Sequence, residues 1–347
     1  MNRKSYQIMI LSEGVSMDEQ IERIKEVLSN RGYQLLSTIG SGSYATAFTI
    51  KSLRYDTVFV AKVIYNKEKD ASTLNEAYQA EMLTLLSLNH PFVIHLYEYF
   101  TDNNMLYIIL EYCERGSLMN MIRKNGPINP INLKEFCHQI LKGLQYIHSQ
   151  NIAHRDIKPD NIFVTYKNTV KIADFGFSQY VETGQKIDDC RGSIAYCSPE
   201  ILKKAVFDPF KADIWALGVT FYVMATGKAP FTGNTPNALR HSIEMGIFLM
   251  PSNIDESFAD MIKKMIVIDP ARRLTPNQLL EHDYFKSEKR GPLSYGFVLA
   301  DVAILGKSSK VNSTQTCVKN GLMKYPTRLT TRSRRSTNFT FPSVFKD

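Results

Sequence analysis

The chain has 347 residues, of which 44% are hydrophobic and 22% are charged, and this composition excludes a mainly disordered or fibrous protein. Its net charge of +8 lies in residues 302–347, which carry nine Lys or Arg and one acid, while the remainder balances at 33 basic and 33 acidic residues. A neutral body argues against a nucleic-acid-binding domain, so we expect no nucleic-acid partner. The basic tail is typical of a solvated or regulatory segment.

The cysteines and the apolar runs indicate the compartment. Five cysteines without a CxxC pair predict neither a disulfide framework nor a zinc site. The apolar run at 8–11 is too short for the core of a signal peptide, and no apolar stretch is long enough to span a bilayer. We therefore expect a cytoplasmic protein, with the nucleus as the alternative, and no membrane partner.

The hydrophobic pattern changes along the chain. Residues 18–30 have the spacing of an amphipathic helix, and strand-like patterns follow from Tyr33 to Tyr112, with one helical stretch at about 74–88. After Gly116 the pattern is helical, most clearly at 131–149, 213–226, 237–245 and 258–266. These patterns predict an α+β fold with a small lobe of sheet plus one main helix and a larger, mainly helical lobe.

Two glycines, Gly40 and Gly42, lie in the segment 40–47 between two strand-like runs. Glycines at such a turn let backbone N–H groups approach phosphate oxygens without a Cβ in the way. The alternative is a plain hairpin turn, which this segment taken alone favours by roughly two to one.

A lysine, Lys62, lies inside the hydrophobic strand-like run 59–64, where it needs an acceptor or an anionic ligand. Its expected partner is Glu81 on the predicted helix, since that carboxylate can face the sheet while Leu85 packs one turn later. The alternatives are an ordinary exposed charge on each element, or Glu76 in the place of Glu81.

Residues 154–161 read His-Arg-Asp-Ile-Lys-Pro-Asp-Asn, and Asp-Phe-Gly follows at 174–176. Phosphoryl transfer needs a carboxylate to orient the incoming hydroxyl, cations that spread the developing charge, and oxygen ligands for magnesium. Asp156 would be the base, and Lys158 would be the cation near the γ-phosphate. Asn161 and Asp174 would be the two magnesium ligands. Joined at this distance, the two segments arise by chance at roughly one in a hundred or less.

These segments, in this order, resemble the signature set of the eukaryotic protein kinases over about residues 33–285. The resemblance implies a bilobal protein kinase fold, ATP and Mg²⁺ as cofactors, and protein substrates. It identifies 111–113 as the hinge and implies a pair between Glu200 and Arg273. The implied nucleotide contacts are Ile39, Gly40, Gly42, Ala47, Val60, Lys62, Glu81, Leu110, Glu111, Cys113, Phe163 and Asp174.

The acceptor class follows from the same resemblance. In serine/threonine kinases a Lys two residues after the catalytic aspartate and a Gly-Ser or Gly-Thr pair frame the hydroxyl, and here these are Lys158 and Gly192-Ser193. Residues 192–200 are most similar to the calcium/calmodulin-dependent and AMP-activated kinase group. We therefore predict a monomeric kinase for Ser and Thr whose catalytic residues are Asp156, Lys158, Asn161 and Ser193.

The predicted domain organisation has three parts. An extension with a short helix covers 1–32, and the kinase domain covers 33–285, divided into a small lobe at 33–113 and a large lobe at 114–285. The basic tail rich in Ser and Thr covers 286–347, where the periodicity is lost. Its cluster at 332–337 is interpreted as a solvated segment, with phosphorylation or occupation of the chain's own cleft as the alternatives.

The chain departs from the family pattern at the adenine pocket. Ala47 stands where relatives carry valine, and Val60 stands where they carry alanine. Because hydrophobic sites tolerate volume-conserving changes, we interpret this exchange as preserving ATP binding. Ala45 likewise replaces the third glycine of the loop.

A second departure concerns the segment before Ser198. Nine residues upstream, where many relatives carry a threonine that must be phosphorylated, this chain has Asp189. The expected partner is Arg155, and the pair predicts basal activity without an upstream kinase. The alternative is that Asp188 and Asp189 are simply solvated loop charges.

A catalytically dead scaffold is the main competing function. Degenerate kinases usually lack the strand lysine, the catalytic aspartate or the metal aspartate. All of these are retained here as Lys62, Asp156 and Asp174, together with Asn161, and the sequence therefore favours an active enzyme.

Overall fold

The structure is a computed structural model that describes residues 17–41, 45–65, 76–102, 105–182, 184–189 and 192–286. The predicted site residue Gly42, Cys190 and residues 287–347 of the basic tail lie outside these residues. Among the described residues, no helix combines the length and the apolar character needed to cross a bilayer.

The small lobe is built around one antiparallel sheet with strand order β1-β2-β3-β5-β4. Its elements are α1 (Met17–Asn30), β1 (Tyr33–Ser41), β2 (Ala45–Ser52), β3 (Thr57–Tyr65), α2 (Glu76–Ser87), β4 (Leu96–Asp102) and β5 (Met105–Glu111). Strands rich in Val, Ile, Phe and Tyr suit a pleated sheet that is covered on both faces. The predicted lobe of sheet plus one main helix is confirmed, and the helix predicted at about 74–88 is α2.

Strand β3 separates two hydrophobic cores because successive side chains point to opposite faces of a sheet. Ala61 and Val63 are fully buried in a core on one face, which also receives Ile24 and Leu28 of α1. Ile64 belongs to the main core on the other face, where α2 lies. Lys62 has the same parity as Ile64, so its side chain points towards α2 and the space between the lobes.

The large lobe is mainly helical. Its elements are α3 (Leu118–Asn125), α4 (Pro130–Ser149), β6 (Ile152–Ala153), β7 (Ile162–Val164), β8 (Val170–Ile172), β9 (Gln179–Tyr180), α5 (Pro199–Leu202), α6 (Pro209–Thr226), α7 (Pro236–Met245), α8 (Glu256–Met265), α9 (Pro276–Leu280) and α10 (Asp283–Lys286). The short strands pair as two antiparallel ladders, β6 with β9 and β7 with β8. The predicted division into a small lobe of sheet and a larger, mainly helical lobe is therefore confirmed.

Helix α6 forms the centre of the large lobe. Nearly every residue from Ala212 to Ala225 is buried, so the helix is apolar all round, as a helix inside a large core should be. It begins at the cap Asp208, whose Oδ1 accepts from the backbone N–H of Phe210 at 2.9 Å. Gly218 allows α8 to pack closely, because a Cβ at this position would lie 2.8 Å from Ile266 Cγ1.

Candidate active site

A cleft of about 470 Å³ lies between the sheet and the large lobe. Apart from Gly42, the cleft lining includes every residue predicted to contact nucleotide: Ile39, Gly40, Ala47, Val60, Lys62, Glu81, Leu110, Glu111, Cys113, Phe163 and Asp174. Its walls are mostly apolar, which is the usual make-up of a small-molecule site, and Lys62, Glu81 and Asp174 together form what we call its charged end. Burial, with Glu111 nearby, raises the pKa of the Cys113 thiol to about 12, so the thiol is neutral.

The charged end of the cleft centres on Lys62. Its Nζ donates to Glu81 Oε1 at 2.6 Å and lies 3.5 Å from Asp174 Oδ1. Burial alone would lower the pKa of Lys62, but the two carboxylates outweigh it, and the pKa lies above its ordinary value. The lysine is therefore a permanent cation that α2 holds in the cleft through Glu81, whose side chain is only 3% exposed.

The loop 154–161 is held at its start by hydrogen bonds to Asp213 of α6. This buried carboxylate accepts from the backbone N–H groups of His154 and Arg155, both at 2.8 Å, and from His148 Nε2 at 2.9 Å. Arg155 adopts the left-handed conformation with φ 67, which is uncommon outside glycine. The central helix thus fixes the backbone immediately before Asp156.

Asp156 is the centre of a hydrogen-bonded network. Its Oδ2 accepts from Lys158 Nζ at 2.7 Å and from Asn161 Nδ2 at 2.8 Å, and Lys158 Nζ also donates to Ser193 Oγ at 2.9 Å. The four residues predicted to be catalytic are therefore brought together. Gly192 allows the backbone before Ser193 to pass close to the loop 154–161, because its φ is 104 and a Cβ there would lie 2.9 Å from Arg155 O.

Two oxygen-bearing side chains face the charged end of the cleft and fit a hard divalent cation such as Mg²⁺. Asp174 is in the left-handed conformation with φ 64, and its side chain is 49% exposed. The amide of Asn161 donates to Asp156 O and Oδ2, which leaves its carbonyl oxygen as the ligand atom. Among the described residues, no cluster of three or more His, Cys, Asp or Glu could hold a metal ion. A cation here would therefore need water or phosphate oxygens as further ligands.

A buried histidine connects the two motifs of the site. The ring of His154 packs on Phe175 with centroids 4.9 Å apart. Its Nδ1 accepts from Asp156 N, and its Nε2 lies 3.1 Å from Ala173 O, which can only accept. These contacts select the neutral form that carries its proton on Nε2. Burial lowers the pKa of His154, although nearby carboxylates oppose the shift.

The segment after the Asp-Phe-Gly triplet is joined to the catalytic loop by Arg155. One guanidinium nitrogen, Nη2, lies 3.1 Å from Asp189 Oδ2 and donates to Asp189 O at 2.6 Å. The other, Nη1, donates to Gln179 Oε1 at 2.8 Å. The ion pair expected between Arg155 and Asp189 is therefore present.

A second arginine braces the large lobe. Arg273 is fully buried and binds Glu200 in a bidentate manner, with N–O distances of 2.6 and 2.8 Å. It also donates to the carbonyl oxygens of Val267, Lys211 and Ile268. The pair implied by the family resemblance is present, and every guanidinium nitrogen has an acceptor, as a buried charge requires.

Some residues of the site did not emerge from the sequence. Ile94 and Ala173 line the cleft, and Gln179 contacts Arg155. The apolar residues look like ordinary core positions in the sequence, and only Ala173 carries a signal, because it directly precedes Asp174. Gln179 carries none, since its role depends on the pairing of β6 with β9, which places it opposite Ala153.

The model of the protein kinase domain family matches residues 33–285, and the chain belongs to this family. The chain is 30% identical over 281 residues to serine/threonine-protein kinase SIK2 of Gallus gallus. The aligned region is 81% of this chain and 35% of that protein. It is also 33% identical over 286 residues to serine/threonine-protein kinase cds1 of Schizosaccharomyces pombe. That aligned region is 78% of this chain and 61% of cds1.

These relatives belong to the calcium/calmodulin-dependent kinase group, and the resemblance found at residues 192–200 is therefore confirmed. A further relative, serine/threonine-protein kinase SIK1 of Mus musculus, is 30% identical over 256 residues, which is 74% of this chain and 33% of that protein. The chain thus spans about a third of the length of the SIK proteins that it matches.

Proposed function

We propose that this chain transfers the γ-phosphoryl group of ATP to serine and threonine hydroxyls of protein substrates. The observation that carries the proposal is the network of Asp156, Lys158, Asn161 and Ser193, which meets a nucleotide-sized cleft at Asn161. An inactive scaffold would not need these polar groups to converge on one point.

The adenine ring would occupy the apolar part of the cleft, between Val60 of the sheet and Phe163 of the large lobe. The phosphates would then extend towards Lys62, whose charge is secured by Glu81. A positioned cation in a cleft with low dielectric stabilises phosphate charge far better than a solvated one.

Asp156 would accept the hydrogen bond of the incoming hydroxyl through its carboxylate and so orient it for attack. Lys158 lies within hydrogen-bonding distance of Asp156 and Ser193, so its cation is held where negative charge develops on the transferred group. Ser193 would frame the acceptor side chain from the opposite side.

Asp174 and Asn161 would hold the divalent cation together with the phosphate oxygens. When bound, this ion neutralises phosphate charge and fixes the geometry of the leaving group. Lys62 lies 3.5 Å from Asp174, so the chain's own cation and the metal ligand act on the same part of the nucleotide.

The acceptor class is tested with a library of peptides that differ only in a central Ser, Thr or Tyr. We expect phosphate transfer to Ser and Thr, because Lys158 and Ser193 frame a short side chain close to Asp156. Transfer to Tyr alone would contradict the proposal. The predicted monomeric state and cytoplasmic location stay predictions.

The metal site is tested with Asp174→Asn, which keeps the shape of the side chain and removes its charge. The variant is expected to need much more Mg²⁺ for half-maximal turnover and to lose at least about 100-fold in kcat. Asp283→Asn, on the remote and exposed helix α10, is the matched control. Full turnover by Asp174→Asn at the same Mg²⁺ concentration would contradict the role given to Asp174.

A further inference from the structure

We propose that a groove beside helix α4 is a docking site for an acidic peptide segment of a partner protein. This α4 groove has a volume of about 750 Å³, and its lining includes Lys142, Tyr146, His148, Lys211 and Asn277. Among the described residues, none lines both this groove and the nucleotide cleft. The groove is therefore a separate site, and its use goes beyond phosphoryl transfer.

Helix α4 forms one long side of the groove. Lys142, Gln145, Tyr146 and Ser149 all line it, and their spacing places them along one face of the helix. With a rise of about 1.5 Å per residue, this face is about 10 Å long. An extended peptide rises roughly 3.3 Å per residue, so this side has room for about three peptide residues.

Side-chain contacts join α4 to other segments that line the groove. His90 stacks on Tyr146 with ring centroids 4.8 Å apart, and Phe210 of α6 packs edge-on against His148 at 4.9 Å. The groove is thus already shaped before a ligand binds, and a preformed site loses little affinity to ordering.

The charge of the groove favours an acidic ligand. Lys142 makes no hydrogen bond or ion pair with the described residues, and Lys211 Nζ donates to a neutral backbone carbonyl at 2.7 Å. The one acid among the described lining residues, Asp208, accepts from two backbone N–H groups at the start of α6, which offset its charge. Two cations are therefore left for carboxylates of a ligand.

Neutral groups in the groove favour a peptide over a simple anion. His148 Nε2 donates to Asp213, so in the neutral ring Nδ1 is an acceptor, and it has no partner among the described residues. Asn277 uses its Oδ1 for Gln145 at 2.7 Å, which leaves its Nδ2 as a donor. A peptide backbone presents both N–H and C=O groups and can use both, whereas a simple anion only accepts.

The same charge argues against the chain's own tail as the occupant. Residues 302–347 carry nine Lys or Arg and one acid, so the tail has the same sign as Lys142 and Lys211. An acidic segment of another protein is complementary to these lysines.

The test uses fluorescein-labelled octapeptides that carry two glutamates at varied spacing, and the same peptides with glutamine in place of glutamate. Binding to the full chain is followed by fluorescence anisotropy. Lys142→Gln removes one cation of the groove. Lys228→Gln, at an exposed lysine outside the groove lining, is the matched control.

The glutamate peptides are expected to bind about tenfold or more tightly than the glutamine peptides. Lys142→Gln should weaken their binding by about fivefold or more at unchanged melting temperature, and Lys228→Gln should leave it unchanged. No preference for glutamate, or equal losses in the two variants, would overturn the inference.

Two further probes test the other occupants. A peptide with the sequence of residues 328–337 should not bind, and binding that Lys142→Gln abolishes would assign the groove to the tail instead. Citrate should displace the labelled glutamate peptides only at a much higher concentration than the unlabelled peptides do. Equal potency would reduce the groove to a site for small anions and overturn the proposal of a peptide.

The place of binding is tested by NMR of the histidine rings, assigned with His→Gln variants. The glutamate peptides should shift the signals of His90 and His148, which line the groove, and leave that of the exposed His241 on α7 unchanged. A shift of His241 without shifts of the other two would place the peptide elsewhere and refute the inference. None of these readouts requires turnover, so an inactive enzyme would contradict the proposed function and leave the docking site standing.

Discussion

At the scale of single residues, the site shows which side chains a sequence can identify. Lys62, Asp156 and Asp174 belong to short segments whose residue types are dictated by chemistry. The structure brings Lys62 and Asp174 to one end of the cleft and joins Asp156 to that end through Asn161. Gln179 is different, because a neutral side chain that binds an arginine leaves no pattern in the sequence. Its role depends on a strand pairing between distant segments, and tertiary contacts of this kind were not predictable.

His154 gives a pH prediction at the same scale. Burial lowers the pKa of His154, and protonation would also turn Nδ1 into a donor facing the N–H of Asp156. The unfolded chain binds the proton more readily, with a pKa near 6.5. The free energy of unfolding contributed by this group is therefore complete above about pH 6.5 and is lost as the pH falls towards the folded-state pKa.

The measurement is urea unfolding of the chain and of His154→Gln at about pH 7.5 and about pH 5.5. The chain should lose more stability between these values than the variant, by up to about 1.4 kcal/mol per pH unit. The comparison cancels the contributions of other titrating groups, including His90 and His138. Equal losses would show that His154 does not resist protonation.

Ala47 and Val60 give a prediction about the adenine pocket. Both line the cleft, and in the β2–β3 register Ala47 lies opposite Lys62, next to Val60 in the diagonal direction. Ala47→Val should overfill the slot and Val60→Ala should open it, so each is expected to weaken ATP binding by about tenfold. The double variant should return close to the original affinity.

Titration of ATP binding to the four proteins closes a double-mutant cycle. Ile131→Val, at an exposed position of α4, is a matched control for a small change of volume elsewhere. A double variant that binds ATP much more weakly than both single variants would refute the compensation between Ala47 and Val60.

At the scale of elements, caps and patterns explain which bounds could be predicted. The helix predicted at 18–30 is α1, because its apolar spacing is regular and no tertiary contact overrides it. The prediction of 213–226 missed the first turn of α6, which begins at Pro209. Asp208 as the cap and Pro209 in the first turn indicate this start of the helix, but the apolar periodicity begins only later in the segment.

Helix α1 gives a prediction at this scale, because it is part of the core of the small lobe. Ile24 and Leu28 are fully buried against the sheet, and Arg31 stacks over Phe100 with its Cζ 4.3 Å from the ring centre. Leu28→Ala is expected to cost about 2–5 kcal/mol in the free energy of unfolding. Glu26→Ala, on the exposed face of the same helix, is the matched control and should change stability by less than about 0.5 kcal/mol.

Urea unfolding of both variants decides whether α1 is integral to the domain. A loss of stability in Leu28→Ala that is no greater than in Glu26→Ala would show that the helix is only loosely attached. In that case the domain boundary predicted at residue 33 would also be a boundary of stability.

At the scale of the whole molecule, the fold was predictable because the motifs name it. The α+β class and the two lobes followed from the change from strand-like to helical patterns, and the kinase motifs then identified the fold family. The order of the strands in the five-stranded sheet did not follow from the sequence, and neither did the short ladders of β6 with β9 and β7 with β8. Strands of two or three residues are too short to show a periodicity, so only their tertiary pairing defines them.

The central claim is that this cleft performs phosphoryl transfer and that Asp156 orients the acceptor. It is tested most directly by following transfer of the labelled γ-phosphoryl group from ATP to a Ser/Thr peptide by the chain and by Asp156→Asn. The variant should bind ATP normally, since Asp156 lies outside the cleft lining, and should lose about 10²- to 10⁴-fold in kcat. Equal turnover by the two proteins, or no transfer by either under any Mg²⁺ concentration, would contradict the account.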